Sequence, residues 1–310
     1  MTKVPQRFDI LLFDAFSNHC LANTVEPLRA ANTVARKKLY EWRFVTLDGA
    51  AVVSSSGMEI APQIALPEGR GDMLVVMPSY DFEKADTPAT TRALLAARPR
   101  YQTIAGFDTG SWLLARAGFL DGHPATIHWE ELSRFEEAFP EVDAQRQRFV
   151  TESPCPTCSG AMAAFDLILK MIAETHGPLI TMEVAQIFMS DSFARAHVPN
   201  PRGSTRMVDR VLQLMQENLE TPIPIDRIAK DMGVSQKLLE TRMKDAMQAT
   251  PQAVYQRLRL NLAYKLVTET DQSVSEIASR SGYENASAMT RAFKSRFHGT
   301  PRDLRRSQNN

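Results

Sequence analysis

Asp108 stands inside Gly106-Phe107-Asp108-Thr109-Gly110, where an apolar run ends and a helical stretch begins. Glycines on both sides of a strand-to-helix elbow let the chain turn sharply and present the central side chain above a sheet. A carboxylate there has two chemistries open to it. It is a counter-ion for a cationic ligand head, ionised with help from the following helix N-terminus, or it is a nucleophile, as in some hydrolases. The nucleophile needs a positioned base, for which His128 is the nearby candidate; His19 and His123 read as loop residues. Binding asks for less. Arg29 offers a fork for a ligand carboxylate. Ser79 and Tyr80 sit at a neighbouring strand end, and Tyr80, Phe107, Trp112 and Trp129 offer the aromatic wall that quaternary ammonium groups favour. Three of these have structural alternatives: Trp112 as core, Arg29 in a surface ion pair, His128 as a hydrogen-bonded structural histidine. The balance favours binding without turnover.

A second chemistry lies near the other end of the chain. Gln236, Lys237, Thr241 and Lys244 fall on one side of a short helical stretch, and Asn285, Ser287, Thr290, Arg291 and Lys294 on one side of another. These residue types hydrogen-bond base edges and phosphates in a major groove. They belong to two copies of one pattern, Ile228-Ala229…Gly233…Thr250-Pro251 and Ile277-Ala278…Gly282…Thr300-Pro301, offset by 49 residues up to the glycine and 50 after it. Each copy predicts a helix-turn-helix: a short apolar-striped helix, a glycine able to turn left-handed, then a second helix. Ser235 and Ser273 are the expected caps. Leu238, Leu239, Met243 and Met247 are expected inward in the first copy, Met289, Ala292, Phe293 and Phe297 in the second, whose second helix is expected from about Ser287. Pro251 opens a helix between the copies.

The elements that must position the first set alternate. Strands are expected at Phe8–Phe13, Trp42–Leu47, Met73–Met77 and Tyr101–Phe107, helices at Leu21–Lys38, Thr90–Ala97, Gly110–Ala117 and Glu130–Ala138. Ala125–Ile127 and Phe149–Glu152 read as extended, Ala161–Thr175 and Met182–Phe193 as apolar helices. Continuous apolar strands between helices imply a parallel sheet covered on both faces. The expected layout is a ligand-sensing domain over 1–198, a Pro-rich linker over 199–205 and a helical domain over 206–310.

Charge supports that split. The chain of 310 residues has 36 basic and 36 acidic residues, net +0. From Arg202 onward there are 18 Lys and Arg against 12 Asp and Glu, which leaves 18 against 24 before it. A basic half suits DNA and an acidic half stays off it. No secretory signal or membrane-length apolar run is visible, so a cytoplasmic location is expected. Cys155 and Cys158 form C-P-T-C without the second pair that zinc needs. With Cys20 they read as packing thiols, and no metal or cofactor is expected.

The repeat, ending in S-V-S-E-I-A-S-R-S-G-Y…F-K-S-R-F-H-G-T-P, resembles the DNA-binding domain of the AraC/XylS family. Gln248 and His298 stand where that family usually has glycine. The run Y-Q-T-I-A-G-F-D-T-G-S-W-L-L-A-R-A-G-F-L-D-G-H-P-A-T-I-H-W-E resembles the PfpI-like, class I glutamine amidotransferase-like fold, in which a cysteine usually occupies the place of Asp108. Glu26 is taken to match that fold's first-helix glutamate, and the resemblance thereby implies a second acid or an acceptor beside Asp108. Together the two halves resemble the GlxA group of regulators, and D-T-G, E-P-L-R-A-A-N and T-I-H-W resemble regulators of betaine, carnitine and arginine catabolism. The resemblance implies an α/β three-layer sandwich with a mostly parallel, flavodoxin-like sheet, followed by an all-α domain of two helix-turn-helix units. It implies a DNA-binding regulator, expected to be an activator, whose sensor is catalytically degenerate and takes a cationic or zwitterionic metabolite. Double-stranded DNA, RNA polymerase and a second copy of the chain are the expected partners. The alternative is a regulator that keeps hydrolase or amidase activity through Asp108 and His128.

Overall fold

Strands that are apolar on both faces need cover on both faces, and four of them make the centre of one sheet. In the computed structural model, which describes residues 4–188 and 206–308, these are β1 (Gln6–Leu12), β2 (Tyr40–Thr46), β6 (Gly71–Met77) and β7 (Tyr101–Phe107). Shorter strands extend the sheet: β5 (Ile64–Ala65), β10 (Phe149–Val150) and β11 (Thr157–Cys158), in the order β10-β11-β7-β6-β1-β2-β5. All neighbours are parallel except β10 and β11. Two small pairs stand apart from this sheet, β3 (Val52–Val53) with β4 (Glu59–Ile60) and β8 (Pro124–Ala125) with β9 (Asp143–Ala144).

The period of two sorts the side chains. Phe8, Ile10, Leu12, Met73, Val75, Met77 and Phe107 face one layer, where α1 (Asn18–Ala35) and α5 (Ala161–His176) pack. Leu11, Leu74, Val76 and Ile104 face the other, against α2 (Pro88–Ala97), α3 (Gly110–Arg116) and α4 (Leu132–Ala138). Chain order reverses between β1 and β6, and ligand sites in open α/β sheets lie beyond the carboxyl ends at such a point. A shallow cleft bounded by Arg7, Arg70, Asp72, Arg100 and Gln102 opens at the amino ends of the strands, the end opposite Asp108.

Three details differ from expectation for local reasons. α1 begins at Asn18 because the Ser17 hydroxyl accepts from Cys20 N–H at 3.2 Å, and it ends where Arg36 turns left-handed. The antiparallel pair of β3 and β4 is too short to carry a hydrophobic period. α6 (Pro178–Phe188) covers the described part of the helix expected over Met182–Phe193; the expected linker over 199–205 lies outside the described residues.

The described residues divide into two compact units, the second holding the helices from Arg206 onward. There α7 (Arg206–Glu217) precedes α8 (Ile225–Asp231) and α9 (Gln236–Met247), the first repeat. α10 (Pro251–Glu269) leads to α11 (Val274–Arg280) and α12 (Ala286–Phe297), the second, and α13 (Pro301–Gln308) closes the unit. Leu260, Ala263, Leu266, Ile277, Met289 and Phe293 form the core around the second repeat. No described helix is long and apolar enough to cross a membrane.

Candidate functional site

The elbow at Asp108 is built from close backbone approaches. A Cβ on Gly110 would strike the Val76 carbonyl, and one on Gly106 would come within 2.8 Å of Ser111 N. Both glycines are therefore required by space. Asp108 itself adopts a left-handed backbone, φ 61°, and so does Ser79 at the end of the neighbouring strand, φ 80°. Left-handed positions that are not glycine cost free energy and persist only where their surroundings hold them. Here they hold each other. Ser79 N–H donates to Thr109 Oγ1 at 3.0 Å, Thr109 Oγ1 donates to the Ser79 carbonyl at 2.8 Å, and Ser79 Oγ donates to Asp108 Oδ2 at 2.9 Å.

The carboxyl is buried, 8% exposed. Burial pushes its pKa up, while the Ser79 hydroxyl and the charge of His128 work the other way. Ionisation is thus opposed by the site, contrary to the expectation that the helix N-terminus would favour it. Two thiols share this interior. Cys20, from the first turn of α1, is raised by burial and then by the fields of Cys158 and Asp108, and burial pushes Cys158 up to about 12. His128 closes a further side: its N–H donates to the Asp108 carbonyl at 3.0 Å, and a Cβ on Gly160 would lie 3.3 Å from its ring. Its Nδ1 is 3.7 Å from the Glu130 carboxylate, and its ring is 5.9 Å from that of Trp129. Tyr80 and Trp129, chain neighbours of Ser79 and His128, are 64% and 65% exposed.

Asp108, Ser79 and His128 are therefore brought together, with Tyr80 and Trp129 beside them. Three expected ligand residues are placed elsewhere. Glu26 and Arg29 pair with each other at 2.6 Å, one turn apart on the outer part of α1, so the α1 side chain that feels Asp108 is Cys20. Trp112 is core: it packs on Phe82 and Phe139 with ring centres 5.2 and 5.0 Å away, and its Nε1 donates to Asp86 at 2.8 Å. The cysteines carry a sequence signal only of burial, and nothing in their spacing marks Cys20 and Cys158 as neighbours of the elbow.

The helical unit presents the second set. Gly233 and Gly282 turn left-handed, at φ 68° and 73°. Ser235 caps α9, and Ser273 caps α11 in a reciprocal box with Glu276. Leu239, Met243, Ala246 and Met247 are buried on α9, Met289 and Phe293 on α12. Gln236, Lys237, Thr241, Lys244, Ser287, Arg291 and Lys294 are exposed, and Thr290 is half-buried at the side. Gln236 spends its amide on Glu240 at 2.8 Å. Asn285 is the cap of α12, its Oδ1 accepting from Ala288 N–H at 2.8 Å, which leaves only its amide to donate outward. Leu238, expected inward, is exposed, since the buried stripe is completed by Ala246 instead. Gln248 and His298 adopt φ 54° and 59°, each N–H closing its helix onto a lysine carbonyl at 2.9 Å. Side chains there take the turn that glycine takes more cheaply.

Comparison with known proteins agrees with both halves. A helix-turn-helix domain family matches residues 228–307. The HTH-type transcriptional regulator CdhR of Pseudomonas aeruginosa is 34% identical over 304 residues, covering 96% of this chain and 90% of that protein. The HTH-type transcriptional regulator GlxA of Rhizobium meliloti is 31% identical over 311 residues, 97% of this chain and 96% of that one. In fold, a THiJ/PfpI family protein from Pseudomonas syringae superposes with a TM-score of 0.52 at 17% identity, over 81% of this chain and 91% of its own. DJ-1beta from Drosophila melanogaster gives 0.50 at 18% identity, over 60% and 98%. A mostly parallel α/β sheet and a paired helix-turn-helix unit occur here on one chain that is similar to these regulators along nearly its whole length, and the chain belongs to the AraC-family helix-turn-helix transcriptional regulators of the GlxA, CdhR and GbdR type.

Proposed function

We propose that the chain is a ligand-responsive regulator whose α/β domain, residues 1–198, binds a cationic or zwitterionic metabolite without turning it over. A linker over 199–205 would join it to a DNA-binding domain over 206–310. The observation that carries this is the Asp108 carboxyl, held at the strand end by a left-handed backbone and one hydroxyl donor. A cation entering beside it restores the charge partner that burial withholds. Exposed Tyr80 and Trp129 give faces for an alkylated ammonium. Ligand then favours one conformation of the sensor and thereby changes how the DNA-binding domain is presented. Lys237, Thr241 and Lys244 on α9, with Ser287, Arg291 and Lys294 on α12, are the reading faces in this scheme.

Calorimetry with a panel of betaines and basic amino acids tests it. Asp108→Asn keeps the shape and removes the counter-ion, so affinity is expected to fall roughly ten- to a hundredfold, with DNA binding in the absence of ligand retained. Unchanged affinity would falsify the counter-ion role. Product analysis of the same mixtures decides the alternative, since consumption of a ligand by the wild type, lost in Asp108→Asn, establishes catalysis through Asp108 and His128.

A further inference from the structure

The helix between the two repeats reaches the loop ahead of the first and the turn of the second through residues one turn apart. Tyr255 and Arg259 stand four positions apart on α10, hence on one face. The Tyr255 hydroxyl donates to the Asn218 carbonyl at 2.7 Å and accepts from Ile223 N–H at 3.2 Å. Those partners lie between α7 and α8, in the loop that leads into the first repeat. Arg259 reaches the other way. Its Nε donates to the Ser281 carbonyl at 2.9 Å and an Nη to the Gly282 carbonyl at 2.6 Å, and the guanidinium lies 4.2 Å from the centre of the Tyr283 ring. Ser281 to Tyr283 is the turn of the second repeat, where the end of α11 leaves carbonyls without helical partners. A planar fork satisfies two of them at once and stacks on the ring, which a lysine ammonium does not do.

Loop and turn also meet directly. A Cβ on Gly282 would strike the Leu219 carbonyl and approach the Pro222 ring to 2.5 Å, whereas a Cβ on Gly233, the equivalent glycine of the first repeat, would meet nothing within 4 Å. The two turns share a backbone shape, but only the second is docked. Repetition of the fold explains the shape and leaves the docking unexplained.

We propose that Tyr255 and Arg259 are positioning residues for operator recognition: they clasp the turn of the second repeat to the lead-in of the first, and so set the spacing and phase of the two reading helices. The inference rests on the assignment of α9 and α12 as those helices. Groove contacts depend steeply on distance and angle, so a held pair accepts one separation of its two DNA boxes. A loosened pair accepts several.

The test uses the full chain and a duplex selected by the wild type from a randomised library. Further duplexes carry one, two or five extra base pairs between the two protected boxes, or one box randomised. Fluorescence anisotropy is expected to show the wild type preferring the selected spacing. In Arg259→Ala, Arg259→Lys and Tyr255→Phe that preference is expected to shrink about tenfold, with affinity for the single-box duplex unchanged. An unchanged preference, even with weaker binding overall, shows that these residues support only the fold and overturns the proposal. If Arg259→Ala loses its helical circular dichroism, Arg259→Lys and Tyr255→Phe decide the question in its place. A wild type indifferent to spacing overturns the proposal too, and does so by removing the two-helix reading beneath it.

Discussion

At the scale of single residues, the α/β domain concentrates an unfavourable arrangement in Asp108. Its backbone is left-handed and its carboxyl is buried with the Ser79 hydroxyl as hydrogen-bond donor. Because burial raises the folded-state pKa above that of the unfolded chain, the native state holds the extra proton between those two values. Stability contributed by the neutral acid is therefore present at low pH and is lost as pH rises through the folded pKa. Asparagine remains neutral and still offers Ser79 an acceptor. Thermal unfolding of Asp108→Asn is expected at a higher midpoint than wild type near neutral pH, with the difference vanishing below the ordinary aspartate range. An equal or lower midpoint at neutral pH removes the idea that the site stores an ionisation cost. The same linkage gives the ligand's pH dependence: a cation binds the ionised form, so its affinity should rise with pH through that pKa. If Asp108 is the proposed counter-ion, function and stability are opposed at this position.

Between elements, the two repeats share a frame and differ in what they show. At the 50-residue offset Lys237 faces Ser287, Thr241 faces Arg291, and only Lys244 and Lys294 agree. Unlike faces imply unlike boxes in successive major grooves, roughly 34 Å apart. Arg291→Ala is expected to cost about 1–3 kcal/mol and relax the choice of base at one position. Lys244→Ala should weaken all sequences alike and lower the salt slope by about 0.9. Wild-type affinity and slope in both variants would mean the wrong faces were chosen. The frame was legible because its Ile-Ala pairs, turn glycines and Thr-Pro pairs recur at fixed offsets. The site around Asp108 was legible only in part. Gly106 and Gly110 announced the elbow, but α3 is buried on every side from Gly110 to Ala115, so no stripe showed that Trp112 points into the core. On α1 the start lay three residues earlier than expected, at Asn18 instead of Leu21. Glu26 was placed by matching that fold's first-helix glutamate, whereas Cys20 lies in the first turn, ahead of the expected start, so nothing in the expected helix offered it as a neighbour of Asp108.

For the whole chain, charge and apolar surface are distributed unequally, and oligomerisation should follow that distribution. The stretch from Arg202 carries 18 basic against 12 acidic residues, and the rest 18 against 24. Two copies of the basic half repel each other without DNA, and their reading faces must stay free to enter grooves. Among the described residues, Leu238 is the large exposed apolar side chain of the helical unit, whereas Val53, Met58, Leu95 and Met162 are exposed in the sheet unit. Apolar contact is what a stable isologous interface needs at its centre. A protein fragment of residues 1–198 is therefore expected to run as a dimer in light scattering, and one of residues 206–310 as a monomer without DNA. Moderate salt should leave the first result in place, because burial of apolar surface is not screened as charge is. A monomeric 1–198 fragment beside a dimeric full chain would move the interface to the helical half. Ligand control would then have to act on DNA-binding halves already paired, instead of through a pair of sensors.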